Sequence, residues 1–342
     1  MLNVFGKAQI SAVDYFVPGQ KLTNEMLESS FPEWSVEKIA AKTGIHSRGI
    51  ASIDEFSSTM ATQAAKKLLS RKTVDPEDID YIILCTQTPD FLLPTTACLV
   101  HRELELNHSV GAIDVNQGCS GFVYSLGLAK GLIETGQAKK ILLLTADTYS
   151  KLINPADKSV RTIFGDGATA TLITSSKSEQ DLLSGFTYGT DGSGAEHLMT
   201  TSGNLRTPES LAGKNLFAEK NLEASLHDLY MNGPEIFNFT LRVVPELVQS
   251  VLDSAGLHVD DIDLFVPHQA NSFMLKHLRD KLNLPEEKFV IDMGDVGNTV
   301  SSTIPLTLAR LQDEGRLEAG MRIMILGFGV GLSWAGAVVT WA

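Results

Sequence analysis

The stretch GAIDVNQGCSGFVYSLGLAKGLIETG, residues 111–136, reads as an apolar strand, a tight turn that carries Cys119, and a helix. The helical part is apolar nearly all the way round, with glycine and alanine interleaved among its large side chains. Because a helix without a polar face is normally buried, we expect this one to lie in the core. The unsatisfied amides and the positive end of such a helix favour a thiolate. The stretch therefore predicts a nucleophilic cysteine whose pKa is lowered from its usual value of about 8.5.

Strands and helices alternate on both sides of this stretch. Residues 8–13, 81–86 and 141–145 read as strands, and residues 57–69 read as a helix. This alternation predicts an α/β fold with a largely parallel sheet. Residues 202–215, SGNLRTPESLAGKN, have little periodicity and predict a mobile surface loop.

The second half of the chain repeats the order of the first. The tripeptide Asp-Ile-Asp precedes an apolar strand at residues 78–80 and again at residues 261–263, an offset of 183. Residues 113–115 and 291–293, each within a predicted strand, precede a glycine-containing turn and a helix at an offset of 178. These matches predict a duplicated unit of about 180 residues, with the two copies packed about a pseudo-twofold axis.

The composition is that of a globular protein long enough for two domains, with 342 residues of which 43% are hydrophobic and 20% charged. A net charge of −13 argues against nucleic acid or an anionic membrane as partner. Residues 323–342 lack charges, but glycines interrupt them, so two buried strands joined by a turn are predicted rather than a membrane span. Three cysteines without paired spacing predict neither disulfides nor a zinc site. With no signal-peptide pattern, a cytoplasmic location is expected.

Chemically useful residues follow strands in both halves. In α/β sheets ligands bind at the carboxyl ends of the strands, and Cys119 follows such a strand in the first half. His268 and Asn298 follow predicted strands in the second half. Taken alone, the cysteine could be a small buried hydrophobe, the histidine a satisfied core residue and the asparagine a turn residue. Their equivalent placement at the seam between the halves favours a catalytic set of nucleophile, imidazole and amide donor.

With these residues the chain resembles the thiolase-fold condensing enzymes, and within them the beta-ketoacyl-ACP synthase III family. The resemblance covers essentially the whole chain and is carried by the motifs TGIHSRGIA (43–51), DVNQGCSGF (114–122), IFGDGATA (163–170), VPHQAN (266–271), GNTVSSTIP (297–305) and FGVGLSW (328–334). It implies an α/β, thiolase-like fold in which two duplicated halves pack as a five-layered αβαβα sandwich. Residues 1–180 would form the half with the cysteine, and residues 181–342 the half with the histidine and asparagine.

The resemblance also implies a mechanism. Cys119 would accept an acyl group from acyl-CoA, with the backbone amides of Cys119 and Val330 as the oxyanion hole. His268 and Asn298 would then stabilise the enolate formed when malonyl-ACP loses carbon dioxide, and condensation would give 3-oxoacyl-ACP, as in fatty-acid chain initiation or a related lipid or polyketide pathway. No metal or organic cofactor is implied. Acyl carrier protein would be a partner, and the enzyme would be a cytoplasmic homodimer.

Further residues are implied at positions that match the family. Trp34 and Lys158 correspond to positions that contact CoA, and Asn271 and Phe273 follow the catalytic histidine where the substrate binds. The family often has an arginine where Phe273 stands, so this contact is altered here. Leu93 corresponds to a bulky residue that limits the acyl pocket from the partner subunit.

The helix after this motif offers a basic face on an acidic protein. It consists of Lys276, Arg279 and Lys281. This face fits an acidic carrier protein, and a solvated helix surface is the simpler interpretation.

Several other functions share part of this pattern. A specialised relative that makes quinolones, ketones or polyketide starters would keep the same three residues. A thiolase needs a second cysteine in the C-terminal glycine-rich turn, and a hydroxymethylglutaryl-CoA synthase needs a catalytic glutamate; we identify neither. Cysteine, histidine and asparagine also form the papain-type protease site, but there the sequence around the cysteine differs. An inactive scaffold subunit would be expected to have lost Cys119.

Overall fold

The chain folds around two mixed β-sheets. The computed structural model describes residues 6–72, 74–201, 205, 220 and 228–342. The loop predicted at residues 202–215 lies outside the described residues, apart from residue 205. The strands are β1 (Lys7–Phe16), β2 (Lys21–Thr23), β3 (Ser47–Gly49), β4 (Tyr81–Cys85), β5 (Gly111–Val115), β6 (Lys140–Asp147), β7 (Gly167–Ser176), β8 (Leu183–Thr190), β9 (Leu198–Thr200), β10 (Leu229–Met231), β11 (Leu264–Pro267), β12 (Arg322–Gly329) and β13 (Ser333–Thr340). The α-helices are α1 (Asn24–Ser30), α2 (Val36–Thr43), α3 (Ser57–Ser70), α4 (Thr96–Glu103), α5 (Gly121–Glu134), α6 (Lys158–Arg161), α7 (Gly233–Ala255), α8 (Ser272–Lys281) and α9 (Thr303–Asp313).

The two sheets have the same strand order and directions. The first runs β5-β4-β6-β7-β1, and β4 is parallel to both of its neighbours while the remaining pairs are antiparallel. The second runs β11-β12-β13-β8, with β11 and β12 parallel and the other pairs antiparallel. A parallel bridge from Phe265 to Phe289 extends the second sheet at the place that β5 occupies in the first. The predicted duplication is therefore visible strand by strand.

Two sequence-based expectations about the sheets are wrong. The sheets are mixed rather than largely parallel, in part because β12 and β13 are joined by a tight turn and must pair antiparallel. Residues 290–293 form no strand, because a side chain takes the place of a strand partner. The side-chain Nε2 of Gln269 donates to the Val290 carbonyl at 3.2 Å, and its Oε1 accepts from the backbone amide of Asp292 at 2.7 Å.

Helices and sheets alternate in five layers. Helices α5 and α9 lie between the two sheets, where each packs against strands of both. Helices α3 and α4 cover the outer face of the first sheet, and α7 covers the outer face of the second. This arrangement confirms the αβαβα sandwich. It also places the N-termini of both central helices at the seam between the halves.

Helix α5 is buried on most sides, as an apolar sequence requires, but not on all of them. Leu128 is 49% exposed, and Gly131, one turn further on, is also exposed, because neither sheet covers this side of the helix. Residues 323–342 form β13 and most of β12, as predicted. Among the described helices none is both long and apolar enough to cross a bilayer.

Candidate active site

Cys119 lies in the turn between β5 and α5, where β12 of the other half passes close to it. A Cβ atom added at Gly329 would lie 2.8 Å from the Cys119 sulfur, and one added at Gly327 would lie 2.6 Å from the Cα of Ser120. Glycine at these two positions therefore lets β12 approach the cysteine turn. The backbone amides of Val330 and of Cys119 itself lie close enough to the sulfur to lower the pKa of the thiol. These are the two amides that the sequence predicts as the oxyanion hole.

His268 follows β11 and is held by the start of α9. Its backbone amide donates to the Leu326 carbonyl at 2.7 Å, and its Nδ1 lies 2.7 Å from the Thr303 hydroxyl. Burial lowers the pKa of the imidazole to about 3, so the ring is neutral at physiological pH. The sequence analysis missed Thr303, although it lies within the GNTVSSTIP motif.

Asn298 is oriented by its own turn. Its Oδ1 accepts a hydrogen bond from the Val300 amide at 2.9 Å, which turns the Nδ2 group toward His268, 3.4 Å from the ring Nε2. Because the amide oxygen is already engaged, the amide nitrogen is the group that faces the histidine and the cavity. In the papain-type arrangement the asparagine orients the histidine; here Thr303 bonds the ring at Nδ1 and so shares that role.

The structure brings the three predicted residues together in one cavity. Cys119, His268 and Asn298 line a space of about 120 Å³ whose other walls are mostly apolar. A larger outer cavity of about 670 Å³ shares the lining residues Ile163, Met231, Gly233 and Asn271 with it. The two cavities therefore adjoin each other at these residues, and the inner one contains the buried sulfur.

The expectation of a lowered pKa at Cys119 is wrong. Burial raises the pKa of the thiol to about 12, the amide of Val330 opposes this, and the nearby carboxylate of Asp147 adds to it. The helix begins two residues after the cysteine, and the turn is enclosed by both halves. Loss of solvent therefore outweighs the favourable end of the helix.

This raised pKa predicts slow alkylation of the resting enzyme. Only the thiolate reacts with iodoacetamide, so the alkylation rate of Cys119 should rise about tenfold per pH unit between pH 7 and 9.5 without levelling off. Peptide mapping by mass spectrometry measures the rate at this residue. A cysteine-containing peptide is the reference, because its rate levels off near a pKa of about 8.5. A plateau for Cys119 below pH 8 would contradict this expectation.

Trp34 lines the outer cavity and is surrounded by cations. The ammonium groups of Lys42, Lys38 and Lys158 lie 4.8, 5.4 and 5.9 Å from its ring centre. Lys158 also forms an ion pair with Glu33 at 2.5 Å. The sequence analysis missed Lys42, which lines the outer cavity together with Trp34.

The remaining predicted residues lie around this cavity or on the surface. Asn271 lines both cavities, and its side chain caps α8 through the Met274 amide at 2.8 Å. Phe273 lines the outer cavity and is 51% exposed. Leu93 is 87% exposed and lies in an exposed apolar stretch with Phe91 and Leu92.

The predicted basic face on α8 is smaller than its sequence suggests. Lys276 and Lys281 are exposed. Arg279 is ion-paired with Asp280 and Glu286, at 3.3 and 3.0 Å. Two lysines of this face are therefore available to a partner.

Comparison with known proteins gives consistent matches. The family model described as 3-oxoacyl-[acyl-carrier-protein (ACP)] synthase III matches residues 113–192, and the model of its C-terminal part matches residues 252–341. The beta-ketoacyl-[acyl-carrier-protein] synthase III of Caldanaerobacter subterraneus is 35% identical over 335 residues, which cover 98% of each chain.

Solved structures agree with these sequence matches. A crystal structure of a 3-oxoacyl-(acyl-carrier-protein) synthase III matches with a TM-score of 0.95 and 47% identity, covering 98% of this chain and 100% of the other. The priming beta-ketosynthase of a polyketide biosynthetic pathway matches with a TM-score of 0.87 and 28% identity, covering 100% and 98% of the two chains.

Proposed function

The chain belongs to the 3-oxoacyl-[acyl-carrier-protein] synthase III family, and on that premise we propose the path of its reaction. It is an acyltransferase of the condensing type with a thiolase-like fold. The observation that carries the proposal is the single cavity lined by Cys119, His268 and Asn298 and continued by the outer cavity. We propose that the donor is an acyl-CoA, that the extender is malonyl-ACP and that the product is a 3-oxoacyl-ACP.

In the first half-reaction Cys119 takes the acyl group. The sulfur attacks the thioester carbonyl, the bond from that carbonyl to the CoA sulfur breaks, and the proton from the cysteine leaves with CoA as its thiol. The amides of Cys119 and Val330 act on the sulfur in the resting state, which supports a role for them in binding the oxyanion as it forms beside the sulfur. Acylation also converts the Cys119 thiol, which burial keeps protonated, into a thioester.

In the second half-reaction malonyl-ACP enters the emptied path. His268 and Asn298 hydrogen-bond its thioester carbonyl, so that loss of carbon dioxide leaves an enolate whose charge rests on that oxygen. The enolate carbon attacks the acyl carbonyl, the bond from that carbonyl to Cys119 breaks, and the thiol is regenerated with a proton from solvent. A neutral imidazole suits this step, because it stabilises the oxygen without readily protonating the carbon.

The outer cavity fits the non-reacting part of CoA. Trp34 offers a flat face for the adenine, and Lys42 and Lys220 line the same cavity as partners for phosphate groups. Lys276 and Lys281 at the surface of α8 are complementary to an acidic carrier protein. The proposal also includes a cytoplasmic homodimer in which Leu93, exposed on the single chain, contacts the partner subunit.

A second candidate is a priming enzyme of polyketide or related secondary metabolism. The similarity to the priming beta-ketosynthase favours it. The two functions share the chemistry at Cys119 and differ in the acyl group that they accept. A cavity of about 120 Å³ at the sulfur favours a short acyl chain for this protein.

A panel of acyl-CoA donors tests the proposal. Wild-type protein is incubated with straight-chain acyl-CoA from two to twelve carbons and with branched four- and five-carbon donors, and its intact mass is measured. We expect the mass of one acyl group to be added with donors of up to about four carbons, since burying each further methylene requires space in the pocket. The Cys119→Ser variant is the control and should gain no adduct. Absence of an adduct with every donor would refute the first half-reaction, and preference for long chains would favour the second candidate.

A further inference from the structure

The motifs at residues 43–51 and 163–170 supply no reacting group in the mechanism proposed above. The first of them contains an unusual buried charge. Arg48, on β3, is among the largest fully buried side chains. Within the described residues no carboxylate lies within ion-pair distance of its guanidinium. Burying a charge without a counterion is costly, so its hydrogen bonds must serve a purpose in the fold.

These hydrogen bonds converge on one carbonyl group. The Nε of Arg48 donates to the Thr162 carbonyl at 3.1 Å, and Nη2 donates to the same oxygen. The remaining nitrogen, Nη1, donates to the side chain of Asn24 on α1. Arg48 therefore fixes the main chain at the point where the segment of residues 162–167 begins.

The same segment holds Asn298 on both sides. The backbone amide of Asn298 donates to the Ile163 carbonyl at 3.0 Å, and the backbone amide of Gly165 donates to the backbone carbonyl of Asn298 at 3.0 Å. This is a short parallel bridge between the two halves of the molecule. Along this route, Arg48 bonds Thr162 and the backbone of Asn298 bonds the next residue, Ile163.

The stem of Arg48 also packs against the turn that carries Asn298. A Cβ added at Gly297 would lie 2.9 Å from the Arg48 Cγ, and one added at Gly165 would lie 3.3 Å from the Arg48 Cβ. The Arg48 side chain is therefore in close contact with the backbone at both glycines, and it has no room to move toward the turn. Contact is made through both hydrogen bonds and packing.

The strand that carries Arg48 binds the far side of this turn as well. The amides of His46 and Ser47 both donate to the Gly294 carbonyl, at 2.6 and 3.2 Å. The Asp166 amide donates to the Gly49 carbonyl at 2.8 Å. β3 and the residue before it are consequently bonded both to the start of the turn that leads to Asn298 and to the segment of residues 162–167, and Arg48 lies between these contacts.

We infer that Arg48 is a positioning residue for the decarboxylation step, acting through Asn298 rather than on the substrate. The inference rests on the proposed function, because it assigns Asn298 to the second half-reaction. Cys119 is carried by the β5–α5 turn, and the amides that act on its sulfur belong to Val330, just after β12, and to Cys119 itself, so its setting does not depend on this arginine. Loss of Arg48 should therefore separate the two half-reactions.

The test compares Arg48→Met with Arg71→Met. Arg71 forms ion pairs with Asp14 and Asp313 at the end of α3, and no contact links it to the catalytic cavity. In Arg48→Met we expect Cys119 acylation within about threefold of wild type. Release of labelled carbon dioxide from malonyl-ACP should fall about 10²-fold, the loss expected when a catalytic group is displaced by about 1 Å. Arg71→Met should retain the wild-type ratio of the two rates.

A double-mutant cycle distinguishes positioning from general damage. If Arg48 acts through Asn298, adding Arg48→Met to Asn298→Ala should cause no further loss of carbon dioxide release. Losses that multiply, or acylation and decarboxylation that fall together, would overturn the inference. If Arg48→Met does not fold, Arg48→Lys is measured in the same way and should show a smaller loss confined to decarboxylation. A wild-type protein that releases no carbon dioxide would instead refute the proposed function.

Discussion

Alanine in place of His268 or Asn298 is expected to leave acylation of Cys119 intact and to reduce carbon dioxide release from malonyl-ACP by about 10²–10³-fold in each case. Both side chains face the cavity from the second half, whereas the amides that we propose as the oxyanion hole for acylation belong to Cys119 and Val330. The measurement is the pair of single-turnover rates, one by intact mass and one by trapped labelled carbon dioxide. If both variants also lost acylation, the division of roles between the two sets of donors would be wrong.

The pH dependence of this step follows from the state of His268. Burial places the pKa of the imidazole at about 3, below its ordinary value of about 6.5, so the neutral form persists as the pH falls from 8 to 5. For Nε2 to donate to the substrate, Nδ1 must accept a hydrogen bond, which requires the Thr303 hydroxyl at 2.7 Å to turn its proton from the Val300 carbonyl to the ring. We therefore expect the decarboxylation rate of the pre-acylated enzyme to show no titration near pH 6.5. A fall with an apparent pKa between 6 and 7 would contradict a buried neutral ring.

Gly329→Ala is expected to slow acylation by at least about 10²-fold while the protein still folds. The new methyl group would lie 2.8 Å from both the Cβ and the sulfur of Cys119, closer than nonbonded atoms approach, so it would occupy the space that the acyl carbonyl needs. Relaxation of this overlap costs about 1–3 kcal/mol of stability. Displacement of the sulfur from the Val330 amide should reduce the acylation rate by at least about 10²-fold.

Gly131→Ala is the matched control for this substitution. A Cβ added at Gly131 meets nothing within 4 Å, and the residue lies on the exposed side of α5. It should raise the free energy of unfolding by roughly 0.4–1 kcal/mol and leave acylation unchanged. Intact mass and thermal unfolding are measured for both variants. Normal acylation of Gly329→Ala would show that β12 can move away from the cysteine turn and that its close approach is not required.

Features repeated in the chain could be predicted from the sequence, and features of solvation could not. The duplication and the meeting of Cys119 with His268 and Asn298 follow from strand ends that recur at a nearly constant offset, and the five layers follow from the family resemblance. The direction of the cysteine pKa shift does not, because it depends on how completely the second half covers the turn. The strand predicted at residues 290–293 failed because its apolar pattern cannot show that Gln269 satisfies the backbone in place of a neighbouring strand. The burial of Arg48 was also hidden, since the sequence alone does not distinguish a buried arginine from a surface one.

The enclosed sulfur has a consequence for how the enzyme survives between turnovers. Peroxide and similar oxidants attack accessible thiolates and leave protonated, shielded thiols largely alone. Burial keeps the Cys119 thiol of the resting protein protonated and shielded, and so protects it from oxidants. The same burial makes unassisted attack on a thioester slow. If acyl-CoA is the donor, as proposed, we expect the sulfur to react only while a thioester is bound beside it.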